Sequence, residues 1–196
     1  MPPAVPTIVF VRHGETDWNV EGRLQGQRDI PLNDKGRRQA RRNGEVLAAS
    51  VPEAATFDFV ASPLGRARET MEIVRTAMGL DPKAYRTDER LLEITFGDWE
   101  GFTYRDLERQ KPGRLAERDA NKWDFLPPGG ESYRMLSDRI VAWLATIERP
   151  TVVVAHGGVG RVARAHLLGL DRAASVVADF PHDRVFLWRE GQGVWL

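Results

Sequence analysis

Three short apolar runs along the chain each stop abruptly at polar residues, and each precedes a segment whose apolar positions recur at helical spacing. Residues 7–11 are β-branched and aromatic and run into Arg12-His13-Gly14-Glu15-Thr16, which predicts a buried strand that delivers polar groups at its tip. A polar loop through Asn19, Gly22, Gly26 and Pro31 follows, and Asn33 predicts the N-cap of a helix reaching about Ser50. The second unit repeats the design. Residues 57–61 are apolar, Ser62 predicts an N-cap with Pro63 at the first helical position, and Ala67, Met71, Val74 and Met78 form the core face of the helix. The third unit is the clearest: residues 151–155 are an unbroken β-branched run, as in a parallel strand covered on both faces, ending in His156-Gly157-Gly158 before a helix to about Leu168.

Between these units the pattern is less regular. Residues 85–88 predict another strand, after which Leu92-Glu93 leads into Gly97-Asp98-Trp99-Glu100-Gly101. Residues 103–125 are polar and weakly patterned, enough for one or two short helices. A Pro-Pro-Gly-Gly turn at 127–130 then precedes an amphipathic helix with Tyr133, Leu136, Ile140, Trp143 and Ile147 on one face. Residues 176–180, 185–188 and 194–196 predict late strands at the sheet edge. The alternation points to the α/β class: a three-layer sandwich, a mainly parallel sheet with helices on both faces, formed by residues 1–196 as a single domain with 1–6 as a flexible lead.

Composition narrows the function classes. Cationic and anionic residues balance at 28 each, so no global field draws the chain to nucleic acid or to an anionic membrane. Arg37, Arg38, Arg41 and Arg42 form a basic stripe, read as a solvated helix face because no aromatics interleave with it. With no cysteine, disulfides, thiolate metal sites and a cysteine nucleophile are all excluded. The four histidines lack ligand spacing, so neither a metal nor a cofactor is expected. No stretch is apolar enough to span a bilayer and the start lacks a signal-peptide pattern, so the default location is the cytoplasm.

In open α/β sheets ligands bind beyond the carboxyl ends of the strands, where loops converge and helix N-termini favour anions. Arg12, His13, Arg66 and His156 all fall there. A neutral His13 could attack phosphorus if its other ring nitrogen donates to a fixed acceptor. Arg12, Arg66, a protonated His156 and backbone amides would then meet charge on the phosphate oxygens. Arg66 in a helix's first turn opposes the macrodipole unless an anion is present. A carboxyl group must protonate the leaving group, and the residues alone leave Glu15, Glu93 and Glu100 as alternatives. A lone histidine after a strand is more often structural; His166 and His182 are read as surface or core residues for that reason.

The ordered motifs resemble those of the histidine phosphatase superfamily, which includes cofactor-dependent phosphoglycerate mutases. Arg12-His13-Gly14-Glu15-Thr16 with Trp18-Asn19, Gly22-Arg23, Gln25-Gly26, Asp29 and Pro31-Leu32 is similar to its first signature, and Ser62-Pro63-Leu64 with Arg66-Ala67 and Thr70 to its second. Leu92-Glu93 with Trp99-Glu100-Gly101, Pro128-Gly129-Gly130-Glu131-Ser132, and His156-Gly157-Gly158 with Arg161 resemble the rest. The resemblance implies His13 as nucleophile, Glu93 as proton donor, and Arg12, Arg66, His156 and Gly157 around the phosphate, with Asn19, Gln25 and Gly26 nearby. It also implies a phosphohistidine and no metal. Three departures favour a phosphatase over a mutase: Phe96 stands where the mutases usually carry tyrosine, Gln25 where they carry a small hydroxyl residue, and no arginine pair is evident before Pro127. The expected partner is a small phosphorylated metabolite, and edge strands near the C-terminus leave room for a homodimer.

Overall fold

The three β-branched runs become neighbours in one six-stranded sheet. The computed structural model describes residues 6–196, so the expected flexible lead lies outside the described residues except for Pro6. In chain order the elements are β1 (Ile8–Arg12), α1 (Asp17–Val20), α2 (Asp34–Ser50), β2 (Asp58–Ala61), α3 (Gly65–Ala77), β3 (Arg86–Thr87), α4 (Tyr104–Gln110), α5 (Arg114–Ala120), α6 (Tyr133–Leu144), β4 (Thr151–Ala155), α7 (Gly157–Leu168), α8 (Arg172–Ser175), β5 (Val185–Arg189) and β6 (Gln192–Trp195). The strands lie in the order β3-β2-β4-β1-β5-β6. The first four are mutually parallel, and β5 and β6 add antiparallel edge strands.

Alternation along the strands splits the core in two. Ile8, Phe10, Val153 and Ala155 face α6 and α7, packing on Leu136, Ile140, Trp143 and Val159. Val9, Val11, Val152 and Val154 face α2 and α3, packing on Leu47, Ala67, Met71 and Val74. Both faces of β1 and β4 are therefore apolar, which is why those runs are unbroken. Trp143 is wholly buried, and truncating a side chain of that size typically costs about 3–5 kcal/mol. A third, smaller cluster of Leu24, Trp99 and Leu107 holds the irregular segment 95–125 against the loop after β1. Among the described residues no helix is long and apolar enough to cross a membrane.

Several expectations are corrected here. Ser62 does not cap α3, and Pro63 does not start it: the helix begins at Gly65, and Asp29 from a distant loop accepts the N–H of Gly65 at 2.7 Å. Residues 176–180 are not a strand. Both flanks of β1 are already paired, so this stretch crosses the end of the sheet as a loop and buries the Phe180 ring against Phe10. The apolar face of α6 extends beyond the helix, because Ile147 is buried three residues after the last helical position, Leu144. The basic stripe lies on α2, where Arg37 donates to Glu69 at 2.7 Å.

Candidate active site

Strand register brings the polar tips together. Arg12 pairs with Ala155, and the ladder continues one step further as the His13 N–H donates to the Ala155 carbonyl at 2.9 Å. On the other side of β4, the Ser62 N–H donates to the Val154 carbonyl at 2.9 Å. His13 and Ser62 therefore flank the end of the strand from which His156 projects. The His13 and His156 rings meet edge to face with centroids 5.2 Å apart. Arg12, His13, Asn19, Gln25, Gly26, Arg66, Glu93 and Gly157 line one cleft of about 320 Å³. His156 is wholly buried, with its ring against that of His13 at the edge of this cleft's lining.

Most of these groups are held by backbone. His13 Nδ1 lies 2.8 Å from the Gly14 carbonyl, which can only accept, so the proton sits on Nδ1 and Nε2 is bare. Arg66 Nε donates to that Nε2 at 3.3 Å, while Nη1 and Nη2 donate to the carbonyls of Arg28 and Gly26 at 2.6 and 2.7 Å. Gly26 has φ +53°, and a Cβ there would strike the Glu100 carboxylate, so the carbonyl that takes Arg66 depends on glycine. Arg12 Nη1 donates to the Phe180 carbonyl at 2.7 Å, and its Nε has no partner. His156 Nε2 lies 2.7 Å from Ser62 Oγ, and its Nδ1 is likewise without a partner. Ser62, not being spent as a cap, is free to orient His156.

Glu93 lies across the N-terminus of α7. Its Oε2 accepts the Gly158 N–H at 3.0 Å, and its Oε1 accepts those of Ile94 and Val159 at 3.0 and 3.3 Å. A Cβ at position 158 would sit 2.6 Å from Oε1, so the second glycine of the His-Gly-Gly run makes room for this carboxylate. The other two candidates point elsewhere. Glu15 pairs with Lys35 at 2.8 Å, and Glu100 ties the 25–28 loop to the 95–100 loop through Gln27, Thr95 and Phe96. Behind Glu93, Arg139 pairs with Glu131 through two 2.9 Å hydrogen bonds and donates to the Glu93 carbonyl at 3.2 Å.

Burial of so many polar groups sets their charge. Desolvation, then Arg66 and His156, push His13 well below the usual histidine range; desolvation, then Arg66 and Arg12, do the same to His156. Both shifts favour the neutral imidazole over the charged one. Desolvation and Arg161 lower Arg12 to about 10.

The sequence profile of the histidine phosphatase superfamily (branch 1) matches residues 8–183. The chain belongs to this superfamily. A glucosyl-3-phosphoglycerate phosphatase of Mycolicibacterium vanbaalenii is 39% identical over 179 residues, 85% of this chain and 76% of that one. Phosphoglycerate mutase-like protein 4 of Arabidopsis thaliana is 40% identical over 161 residues, covering 79% and 67% of the two chains. The solved structure of a mycobacterial glucosyl-3-phosphoglycerate phosphatase complexed with VO3 is similar at a TM-score of 0.79, with 35% identity across 97% of this chain and 96% of that one. Family and relatives together make this histidine phosphatase superfamily member a phosphatase-type enzyme.

The rest of its cleft was not predicted. Tyr104, Arg118, Lys122, Tyr133 and Arg161 also line it, as its cap. Arg118 donates to Tyr104 Oη at 2.8 Å and pairs with Asp119; Arg161 Nε donates to the Ala178 carbonyl at 2.6 Å. Desolvation, then Arg118 and Arg161, lower Lys122 to about 8. So the segment before Pro127 does supply two cations to the cleft, an arginine and a lysine rather than an arginine pair. His182, read as a surface or core residue, sits beside His13: its Nδ1 lies 2.6 Å from the His13 carbonyl and its ring centroid 5.5 Å from that of His13. Short helices without periodicity carry no signal for Tyr104 and Arg118, nor does the turn that holds Lys122. For His182 the signal is topological, because β5 runs beside β1.

Proposed function

We propose that the protein hydrolyses phosphomonoesters of small metabolites through a phosphohistidine on His13, without a metal ion. The observation that carries this reading is the bare, buried Nε2 of His13, whose tautomer the Gly14 carbonyl sets, in a cleft where Arg12 and Arg66 converge. In the first step Nε2 bonds to phosphorus as the P–O ester bond breaks, and the leaving alkoxide takes a proton from the Glu93 carboxyl group. Arg66 shifts its Nε–H from His13 to a phosphate oxygen, while Arg12 Nε and His156 Nδ1, neither of which has a protein partner, supply further donors. A Ser62 hydroxyl that donates to His156 Nε2 leaves the proton on Nδ1 for this purpose. In the second step water gives a proton to the Glu93 carboxylate and its oxygen displaces His13 from phosphorus. Asn19 and Gln25 complete the rim: each uses its side-chain oxygen on Thr16, which leaves the amide nitrogens for the ester.

The cap suggests the substrate class. Arg118, Lys122 and Arg161 bring three further cations to the cleft, more than a phosphate already met by Arg12 and Arg66 requires. A phosphorylated organic acid or its glycoside, the kind of compound for which the relatives are named, supplies the second negative group. Hydrolysis rather than isomerisation is supported by the name of a relative that is matched over 85% of this chain. The test is a short pulse of labelled phosphoester followed by alkaline denaturation, in which acid-labile, base-stable phosphate should appear on the wild type and be absent from His13→Ala. EDTA should leave turnover unchanged. Turnover without any trapped phosphate, or with His13→Ala still active, would sink the mechanism.

A further inference from the structure

The loop between α8 and β5 takes no part in the reaction as written, yet it grips the site at several points. The Phe180 carbonyl takes Arg12, the Ala178 carbonyl takes Arg161, and the His182 carbonyl takes Asn43 Nδ2 of α2 at 2.9 Å. Topology explains its position. Because β5 is antiparallel to β1 and Val185 pairs with Val11, residues just before β5 arrive beside residues just after β1.

The most consequential contact is that of the His182 side chain. A carbonyl oxygen only accepts, so the His182 Nδ1 carries its proton and donates it to the His13 carbonyl at 2.6 Å. The N–H of the same peptide unit, that of Gly14, donates to Thr70 Oγ1 at 3.0 Å, and the Thr70 hydroxyl donates to the Arg66 carbonyl at 2.8 Å. The plane joining His13 to Gly14 is thus held at both ends by side chains from distant segments. The next carbonyl along, that of Gly14, is the acceptor that fixes the His13 tautomer. If the peptide plane rotates, that carbonyl leaves the ring and the proton is free to move to Nε2, which blocks attack. His182 does not line the cleft, and its Nδ1 is already engaged, so a direct acid or base role does not fit. Burial, then Arg12, lowers it to about 4, so it donates as a neutral ring and adds no charge beside the arginines.

We infer that His182 is a positioning residue: with Thr70 it clamps the His13–Gly14 peptide and so keeps the His13 proton on Nδ1. The clamp itself stands apart from the phosphatase reading, and only its kinetic consequence rests on that reading. Two variants separate the possibilities. His182→Ala removes the donor, whereas His182→Asn places an amide N–H where the ring Nδ1–H lies. With p-nitrophenyl phosphate, His182→Ala should lower kcat on the order of ten- to a hundredfold and change KM by less than about twofold, and His182→Asn should recover most of the loss. In the substrate-free protein, nitrogen-15 imidazole spectra should show His13 as the Nδ1–H tautomer in the wild type and in His182→Asn, and as a mixture in His182→Ala. An unchanged tautomer in folded His182→Ala overturns the inference. If His182→Ala does not fold, Thr70→Val and His182→Asn decide: the clamp requires a tautomer mixture in Thr70→Val and the wild-type tautomer in folded His182→Asn, and the opposite pattern in either refutes it. If no phosphoester is ever turned over, the spectra still decide the clamp while the proposed activity alone fails.

Discussion

On the floor of the cleft, side chains are tied to backbone; along its cap, they are tied mainly to one another. Arg66 ends on the carbonyls of Gly26 and Arg28, Arg12 on that of Phe180, His13 on that of Gly14, and Glu93 on the amides of Gly158 and Val159. The cap instead relies on Arg118 with Asp119 and Tyr104, Arg114 with Glu117, and Lys122 above the Tyr133 ring. Backbone anchors move only when the fold moves, so the floor can place donors around a transition state with little reorganisation. Pairs between side chains on two seven-residue helices exchange readily, so the cap can change its choice of substrate without disturbing the chemistry. Substitutions on the floor should therefore act on kcat and those in the cap on KM.

The sharpest way to break this contrast is Glu93→Gln, which preserves shape and one acceptor but cannot carry a proton. For an alkyl phosphate, whose leaving group needs protonation, kcat should fall on the order of a hundred- to ten-thousandfold. With p-nitrophenyl phosphate the leaving group departs unaided, so the loss should shift to the second step and phosphohistidine should accumulate. Quench-flow measurement of both products separates the steps, and a kcat for the alkyl ester within about tenfold of wild type would remove Glu93 from the proton path.

The cap is tested by charge removal. Arg118→Ala and Lys122→Ala should each raise KM about tenfold for a phosphate ester that also bears a carboxylate, while barely changing it for p-nitrophenyl phosphate, since one partly desolvated ion pair contributes on the order of 1–2 kcal/mol. Because Lys122 is lowered to about 8, the wild-type KM for the carboxylated ester should also climb above about pH 8 as that charge is lost, and Lys122→Ala should abolish the rise. Equal effects on both esters would mean that the cap serves the phosphate and is not a separate recognition surface.

The same contrast accounts for what could be read from the residues. Arg12, His13 and His156 sit one or two residues beyond β-branched runs, so pattern alone located them; Arg66 followed because helix starts after strands point at the same crevice. Asn19, Gln25, Gly26 and Glu93 needed the family resemblance, since neither Glu93 in an irregular loop nor Glu100 seven residues on has a distinguishing local pattern. Ser62 was misjudged because Ser-Pro is a common helix start, and nothing local reveals that Asp29, 36 residues away from Gly65, caps α3 instead. Tyr104, Arg118 and Lys122 were illegible for a deeper reason. They lie on short helices, or in the turn just after one, held by the small Leu24, Trp99 and Leu107 cluster, where tertiary contacts, not periodicity, choose what meets the cleft.

The smallest effect concerns stability alone and sharpens the picture of a neutral, buried floor. Unfolded, each histidine takes up a proton near pH 6.5; folded, His13 and His156 do so only well below that, and His182 at about 4. Between pH 6.5 and about 4 the unfolded chain thus binds protons that the folded chain refuses, so stability must fall as pH falls through this window. For His182 alone the change between pH 6.5 and 5 is about 2 kcal/mol, a drop in Tm of roughly 4–8 °C for a chain of this size. The carboxylates held low by their partners, such as Asp88 beside Arg90, lose their contribution only at more acidic pH, so the histidine window is separately visible. Inorganic phosphate should flatten the slope, because an anion between the rings favours their protonated forms in the folded state as well. Thermal unfolding at pH 7 and pH 5, with and without phosphate, checks this: a Tm independent of pH across that range would mean that the three rings are hydrated and charged, and the floor would then resemble the cap.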